Sequence, residues 1–201
     1  MSKPSAPAPI QALIQSLCKL PGLGPRSAQR IAYHLLQNDR DNAFSLAVAL
    51  SEALSNLKHC HECNNFSEHS VCELCADPNR DPSLLCVVEM PADLAMLEQT
   101  QTYKGLYYVM MGRISPLDGV GPKELKLSHF LTRVSNETVK EVILATNFTA
   151  EGEASAYTLS ELIKGKGLKI SRLSKGLPLG AELDLIDAGT VAHAMLERKP
   201  Y

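Results

Sequence analysis

The sequence contains no tryptophan, and aromatic residues make up only 5% of its 201 residues. Stacking platforms of exposed aromatic side chains, which many single-strand binders use, are therefore not an evident theme. No stretch approaches the roughly 18 consecutive apolar residues of a membrane-spanning helix. We therefore expect no membrane partner.

The chain also lacks an excess of positive charge. Lys and Arg number 20 and Asp and Glu number 22, so the formal net charge is −2. This balance excludes a protein that holds nucleic acid by bulk charge, but it allows a local basic site. Residues 1–58 contain six basic and three acidic residues, whereas residues 81–201 contain 13 and 15. A local basic site is therefore expected in the N-terminal region.

The N-terminal segment MSKPSAPAPIQAL lacks the apolar core of a signal peptide, so secretion is not expected. We expect a cytoplasmic protein, associated with the nucleoid if DNA is its ligand. The reducing cytosol keeps cysteines as thiols or thiolates rather than disulfides.

Four of the six cysteines form two C-x2-C pairs that are eight residues apart. They are Cys60, Cys63, Cys72 and Cys75. Two such pairs can direct four sulfur atoms at one point, which predicts a closed, structural Zn²⁺ site. The alternative is a redox-active dithiol, which would not need a second pair. Cys18 and Cys86 lie in apolar surroundings and are interpreted as small core residues.

The first 57 residues are predicted to form three helices. A helical stripe of apolar residues covers 10–18, and the segment PGLGP at 21–25 interrupts it. A second helix begins at Pro25, a position where the missing N–H has no consequence. A third helix covers about 41–57.

The turn between the first two helices carries the candidate DNA-binding residues, which are Lys19, Gly22, Gly24, Arg26 and Arg30. The glycine amides and the helix N-terminus form an anion pocket, and Arg26 and Arg30 share one helix face. Such a pocket fits a DNA phosphate without reading a base. The alternative is a plain helical corner with solvated arginines. The segment resembles the helix-hairpin-helix motif of sequence-independent DNA-binding proteins, which favours the DNA contact.

From residue 84 onward, predicted strands alternate with helices. Strands are predicted at 84–89, 105–110, 141–146 and 168–174. Helices are predicted at about 91–100, 123–134, after residue 149 and near 187–197. The alternation predicts an α/β fold with a mainly parallel sheet covered on both faces, and residues 76–83 are interpreted as a linker.

Acidic residues follow two of these strands. Glu89 ends the first, and Glu151 and Glu153 follow the third, where ligands commonly bind open α/β sheets. The arrangement resembles a Toprim domain, whose glutamate and aspartate pair bind magnesium. Here Asn147 and Thr149 stand where the resemblance places the two aspartates. Mg²⁺ is therefore not expected, because it prefers carboxylate ligands. The two later glutamates can equally be favourable charges in a helical first turn.

The order of these motifs resembles the RecR family of bacterial recombination mediators. The segments GRISPLDGVGP (112–122) and GLPLGAEL (176–183) fit the same resemblance. It implies four regions: a helix-hairpin-helix region at 1–57, a zinc finger at 58–80, a Toprim-like domain at 81–175 and a C-terminal oligomerisation segment at 176–201.

The resemblance also implies a function. Proteins of this family assemble into dimer or tetramer rings, bind single- and double-stranded DNA, and act with RecO and in some settings RecF. They help to load RecA at single-stranded gaps covered by SSB and are not enzymes. The alternative is a magnesium-dependent Toprim-type nuclease or topoisomerase-like enzyme. A stand-alone structural DNA-binding protein also remains open.

Two surfaces of the Toprim-like domain are candidates for contacts. Glu89, Glu151 and Glu153 are interpreted as an acidic docking face for a basic partner. The segment 164–175 contains five Lys and Arg residues and no acid. It is a second candidate DNA or partner contact, and a solvated helix end and strand is the alternative that we favour.

Overall fold

A computed structural model of the protein describes residues 6–198, except 126, 175 and 179. The chain divides into two compact units, Met1–Leu57 and Lys58–Tyr201. Among the described residues, every helix is too short or too polar to cross a membrane.

The first unit contains three helices: α1 (Ala8–Cys18), α2 (Pro25–Gln37) and α3 (Arg40–Asn56). Ala28 and Ala32 of α2 are fully buried. These side chains are small, so the neighbouring helix backbone can approach closely. Ile31 and Leu35, which the sequence also places on the packed face of α2, are half-buried. Cys18 at the end of α1 is half-buried as well.

The third helix is unusual in its exposure. All 17 residues of α3 are described, and none of them is buried. Five large apolar side chains are more than half exposed, namely Phe44, Leu46, Val48, Leu50 and Leu54. An apolar surface of this extent usually marks an interaction site.

The second unit begins with the cysteine-rich segment. It contains a two-stranded antiparallel sheet of β1 (Lys58–His59) and β2 (Phe66–Ser67), followed by the short helix α4 (Glu73–Ala76). These elements lie between and around the two cysteine pairs.

The main sheet has four parallel strands in the order β4-β3-β5-β6. The strands are β3 (Asp81–Val88), β4 (Gly105–Val109), β5 (Glu141–Leu144) and β6 (Lys169–Arg172). The helices that connect and cover them are α5 (Pro91–Gln99), α6 (Ser128–Val134) and α7 (Ala150–Ile163). A 3-10 turn at Leu183–Leu185 and helix α8 (Ala188–Leu196) follow. The predicted fold class is confirmed.

Apolar residues cover both faces of the sheet, because successive side chains of a strand point to opposite sides. Leu85 and Val87 of β3 face one cluster with Phe130 and Leu159. Cys86 and Val88 face the other cluster with Leu94 and Tyr107. Cys86 is 3% exposed, and burial raises the pKa of its thiol to about 12. It is a core residue, as the sequence predicts.

Two predicted boundaries differ from the structure. The helix predicted over 123–134 begins only at Ser128. Before it, the Glu124 carboxylate accepts a hydrogen bond from the Gly121 N–H at 2.8 Å and closes a turn instead. The predicted linker at 76–83 is shorter than expected, because β3 already begins at Asp81, which pairs with Gly105.

Candidate DNA-binding hairpin, zinc centre and acidic edge

The turn between α1 and α2 depends on one glycine. Gly22 has a φ of +78°, a conformation that side chains disfavour, so glycine is required there. The Leu23 N–H donates to the Leu20 carbonyl at 3.2 Å and closes the turn. An added Cβ at Gly22 or Gly24 would meet no atom within 4 Å, so the space over the turn is open.

The start of α2 suits an anion. Among the described residues, no side chain caps this helix, and its first turn contains no acidic residue. The first N–H groups of a helix lack acceptors within the helix and carry its positive dipole end. Lys19, Arg26 and Arg30 are all exposed around this turn. The hairpin therefore combines three exposed cations with an uncapped helix start that carries no acid.

The four cysteines of the two pairs converge. Cys60, Cys63, Cys72 and Cys75 place their Sγ atoms within 4.8 Å of one another. The Cys63 and Cys72 sulfurs are 3.5 Å apart. Zinc–sulfur bonds of about 2.3 Å in a tetrahedron separate the sulfurs by roughly 3.8 Å. The four residues therefore fit a zinc ion.

The protonation of the four thiols depends on whether a cation is bound. A hydrogen bond with Cys75 lowers the pKa of Cys63 to about 6, whereas burial raises the pKa of Cys72 to about 11 and the hydrogen bond with Cys63 raises the pKa of Cys75. Four thiolates this close require a divalent cation to coexist. The N–H groups of Glu62 and Cys72 point at the Cys60 sulfur, at 3.4 and 3.3 Å. The site is closed by four protein ligands, so its zinc is structural.

The zinc finger packs on the outer edge of the main sheet. The Val109 N–H of β4 donates to the Cys63 carbonyl at 2.8 Å, and the Asn64 amide donates to the Val109 carbonyl at 2.8 Å. Glu62 pairs with Arg133 of α6 at 2.8 Å. The finger thereby supplies hydrogen-bond partners for both backbone groups of Val109 in the edge strand β4. The sequence does not predict this contact.

Arg80 is a second residue that links distant parts of the domain and that the sequence pattern does not reveal. Its guanidinium forms a two-pronged ion pair with Glu98 of α5 and donates to the Gly105 carbonyl at 2.9 Å. The Tyr107 hydroxyl donates to the same Glu98 carboxylate at 2.6 Å. The hydrogen bond to Glu98 raises the pKa of Arg80. The side chain of Arg80 is only 9% exposed, so it fixes the start of β3 and β4 together.

Glu89 lies at the carboxyl end of β3 and is buried, with 2% of its surface exposed. Its Oε1 accepts the Asn147 backbone N–H at 3.1 Å, and its Oε2 accepts the Asn147 side-chain amide at 2.8 Å. Glu89 is therefore held inside the domain, and a partner protein cannot reach it directly.

Glu151 and Glu153 lie in the first turn of α7, both half-buried. Glu153 pairs with Arg172 of β6 at 2.6 Å. Arg172 also donates to the Asn147 carbonyl at 3.2 Å and lies over the Phe148 ring at 4.8 Å. Glu89 and Glu153 thus already accept hydrogen bonds from side chains of the protein itself.

Three cations of the basic segment 164–175 form ion pairs within the domain. The pairs are Lys164 with Glu161 at 3.0 Å, Lys169 with Glu141 at 2.8 Å and Arg172 with Glu153 at 2.6 Å. Lys166 donates to the Ser135 hydroxyl at 3.0 Å, and Lys175 lies outside the described residues. Lys164 and Lys169 stay largely exposed despite these pairs, whereas most of the Arg172 side chain is covered.

A hairpin of helices, a four-cysteine zinc finger and a Toprim-like sheet in this order define a class of DNA-processing proteins. Comparison with protein-family models gives four matches along the chain. They are the RecR helix-hairpin-helix at residues 10–54, the RecR four-cysteine zinc finger domain at 57–77, the Toprim domain at 83–174 and the RecR C-terminal region at 176–199. The chain belongs to the RecR family, and its domains are those of a RecR-type DNA-repair protein.

Proposed function

We propose that the protein is a non-enzymatic recombination mediator that binds DNA without sequence preference. It acts with RecO, and in some settings RecF, to load RecA at single-stranded gaps covered by SSB. The observation that carries the DNA-binding step is the exposed cluster of Lys19, Arg26 and Arg30 around the uncapped start of α2. The site of action is then the nucleoid in the cytoplasm.

A single hairpin makes few phosphate contacts and binds weakly. Several hairpins on one closed oligomer act together, because the first contact raises the effective concentration of the others. Backbone contacts also make the binding strongly dependent on salt. We therefore propose that a ring of two or four chains is the DNA-binding form.

The exposed apolar side chains support assembly through both terminal regions. Leu50 and Leu54 of α3 are 59% and 77% exposed, and Leu185 and Leu196 near the C-terminus are 78% and 77% exposed. Burial of such side chains stabilises an interface by about 1.5–3 kcal/mol each. We propose that α3 and the C-terminal segment form separate contacts between subunits.

The α3 contact predicts the effect of two charges. Replacing Leu50 and Leu54 by glutamate should at least halve the mass measured by light scattering, because two carboxylates cannot be buried in an apolar interface. The matched control is Ser51→Glu with Ser55→Glu, which adds the same charges to the same helix. Unchanged mass in the leucine variant would exclude α3 as a subunit contact. Repeating the measurement with DNA tests whether the oligomer encloses it.

The acidic surface at the start of α7 is the proposed docking face for RecO. Because Glu89 is buried and Glu153 is paired with Arg172, the charge of the face comes mainly from Glu151, and Glu89 holds the loop beneath it. A negative surface steers a basic partner and selects it.

Glu151→Lys should lower RecO capture about tenfold or more and lower RecA loading on SSB-coated gapped DNA in parallel. Its oligomer mass should stay that of the unaltered protein. The matched control is Glu137→Lys, which makes the same exchange at an exposed position just before β5. This position lies at the amino-terminal ends of the strands, away from the start of α7. Equal capture of RecO by both variants would contradict the proposed face.

A further inference from the structure

We infer that the carboxyl edge of the sheet carries its own replacement for a divalent cation. The Asn147 side-chain amide donates a hydrogen bond to Glu89, and the Arg172 guanidinium forms an ion pair with Glu153. The edge is thereby held in one conformation that does not depend on magnesium. The inference does not rest on the mediator function, because it concerns only the conformation of this loop.

The first observation is the saturation of Glu89. A buried carboxylate needs donors, and both of its oxygens receive one from Asn147. The Asn147 atom at 2.8 Å from Glu89 Oε2 has to be the amide nitrogen. The amide oxygen would only accept hydrogen bonds and would repel the carboxylate oxygen. An aspartate at position 147 would place two carboxylates in contact, and either a shared proton or a cation between them would have to relieve the repulsion.

The second observation is the position of Arg172. Its guanidinium contacts Glu153 through one nitrogen and the Asn147 carbonyl through another, at 2.6 and 3.2 Å. It thereby joins β6, the loop after β5 and the first turn of α7. The positive charge that a metal ion would supply at this edge is present as a side chain.

The third observation is the close packing of α7 against the loop. A Cβ added at Gly152 would lie 2.0 Å from the Asn147 carbonyl oxygen and 2.9 Å from Glu89 Oε1. The Gly152 carbonyl also accepts the Thr146 hydroxyl, at 2.8 Å. While Asn147 is in place, the oxygens of Glu89 therefore face protein atoms rather than the water ligands that a bound magnesium usually keeps.

Asn147→Asp tests the first replacement. In buffer freed of divalent cations by a resin, so that the zinc is retained, this variant should melt about 5 °C below the unaltered protein. Millimolar Mg²⁺ or Mn²⁺ should restore at least half of the loss, whereas the unaltered protein should not respond. The matched control is Asn136→Asp, at an exposed position before β5 where the side chain only accepts hydrogen bonds from Thr138, and it should show neither effect.

Mn²⁺ titration followed by electron paramagnetic resonance tests both replacements directly. The unaltered protein and its Glu89→Gln variant should give the same titration. Asn147→Asp should gain one Mn²⁺ site, and Asn147→Asp with Arg172→Gln should bind it more tightly. The matched control is Asn147→Asp with Lys164→Gln, which removes only an exposed ion pair. It should bind Mn²⁺ as tightly as Asn147→Asp alone.

Two results would overturn the inference. One is a Mn²⁺ site in the unaltered protein that Glu89→Gln abolishes. The other is an Asn147→Asp variant that has the same melting temperature as the unaltered protein and gains no Mn²⁺ site.

Discussion

Replacing Arg26 and Arg30 by alanine should weaken DNA binding about 100-fold at low salt. A hydrogen bond between a charged side chain and a phosphate contributes about 1.5–3 kcal/mol, so two lost contacts remove roughly 3 kcal/mol or more. The loss should be the same for single- and double-stranded DNA of any sequence, because phosphates carry no sequence information. Fluorescence anisotropy over a range of salt concentrations measures it.

The salt dependence separates a phosphate contact from a folding defect. Each lost contact should lower the slope of log affinity against log salt by about one. The double variant with lysine at both positions keeps the charges and should retain most of the slope. Arg40→Ala with Lys58→Ala removes two exposed cations outside the hairpin and is the matched control. Equal binding by the alanine variant and the unaltered protein at low salt would exclude the hairpin as the DNA site.

Replacing Cys72 by serine should remove the zinc and lower the melting temperature by about 10 °C. Binding of a structural zinc contributes about 10–16 kcal/mol in isolated zinc-finger peptides, so a finger without it unfolds. The main sheet would then lose the hydrogen bonds of Cys63 and Asn64 to Val109 and the Glu62–Arg133 ion pair. Contacts worth a few kcal/mol correspond to that shift in a domain of this size.

Elemental analysis and thermal melting measure this effect together. The unaltered protein should contain one zinc per chain, and a chelator should lower its melting temperature until zinc is added back. Cys18→Ser, which removes a cysteine outside the two pairs, should keep one zinc per chain. One zinc per chain in Cys72→Ser would contradict a four-cysteine site.

Features encoded by neighbouring residues were predictable. The spacing of Cys60, Cys63, Cys72 and Cys75 indicates the metal site, because each pair turns locally to aim two sulfurs at one point. Pro25 and the glycines before it indicate the hairpin for the same reason. The alternation of strands and helices indicates the parallel sheet, whose strand bounds shift by only a few residues.

Features that depend on distant parts of the chain were not predictable. The sequence favours a surface position for Glu89, because a single sequence does not show that Asn147 lies beside it. The ion pairs of the basic segment were not predictable for the same reason. Lys169 meets Glu141 only when β6 pairs with β5, and Arg172 meets Glu153 only when β6 lies near the first turn of α7. The contact of the zinc finger with Val109 depends on which strand forms the sheet edge, and strand order is a property of the whole fold.

The position of the zinc finger has a consequence for synthesis of the chain. An edge strand with unpaired backbone groups is a template for aggregation. In β4, whose five residues are all buried, Arg80 occupies the Gly105 carbonyl, and the finger occupies both backbone groups of Val109. A newly made chain that has not yet bound zinc would expose part of this edge. We therefore expect chains made with too little zinc to aggregate more than chains that bind zinc as they fold.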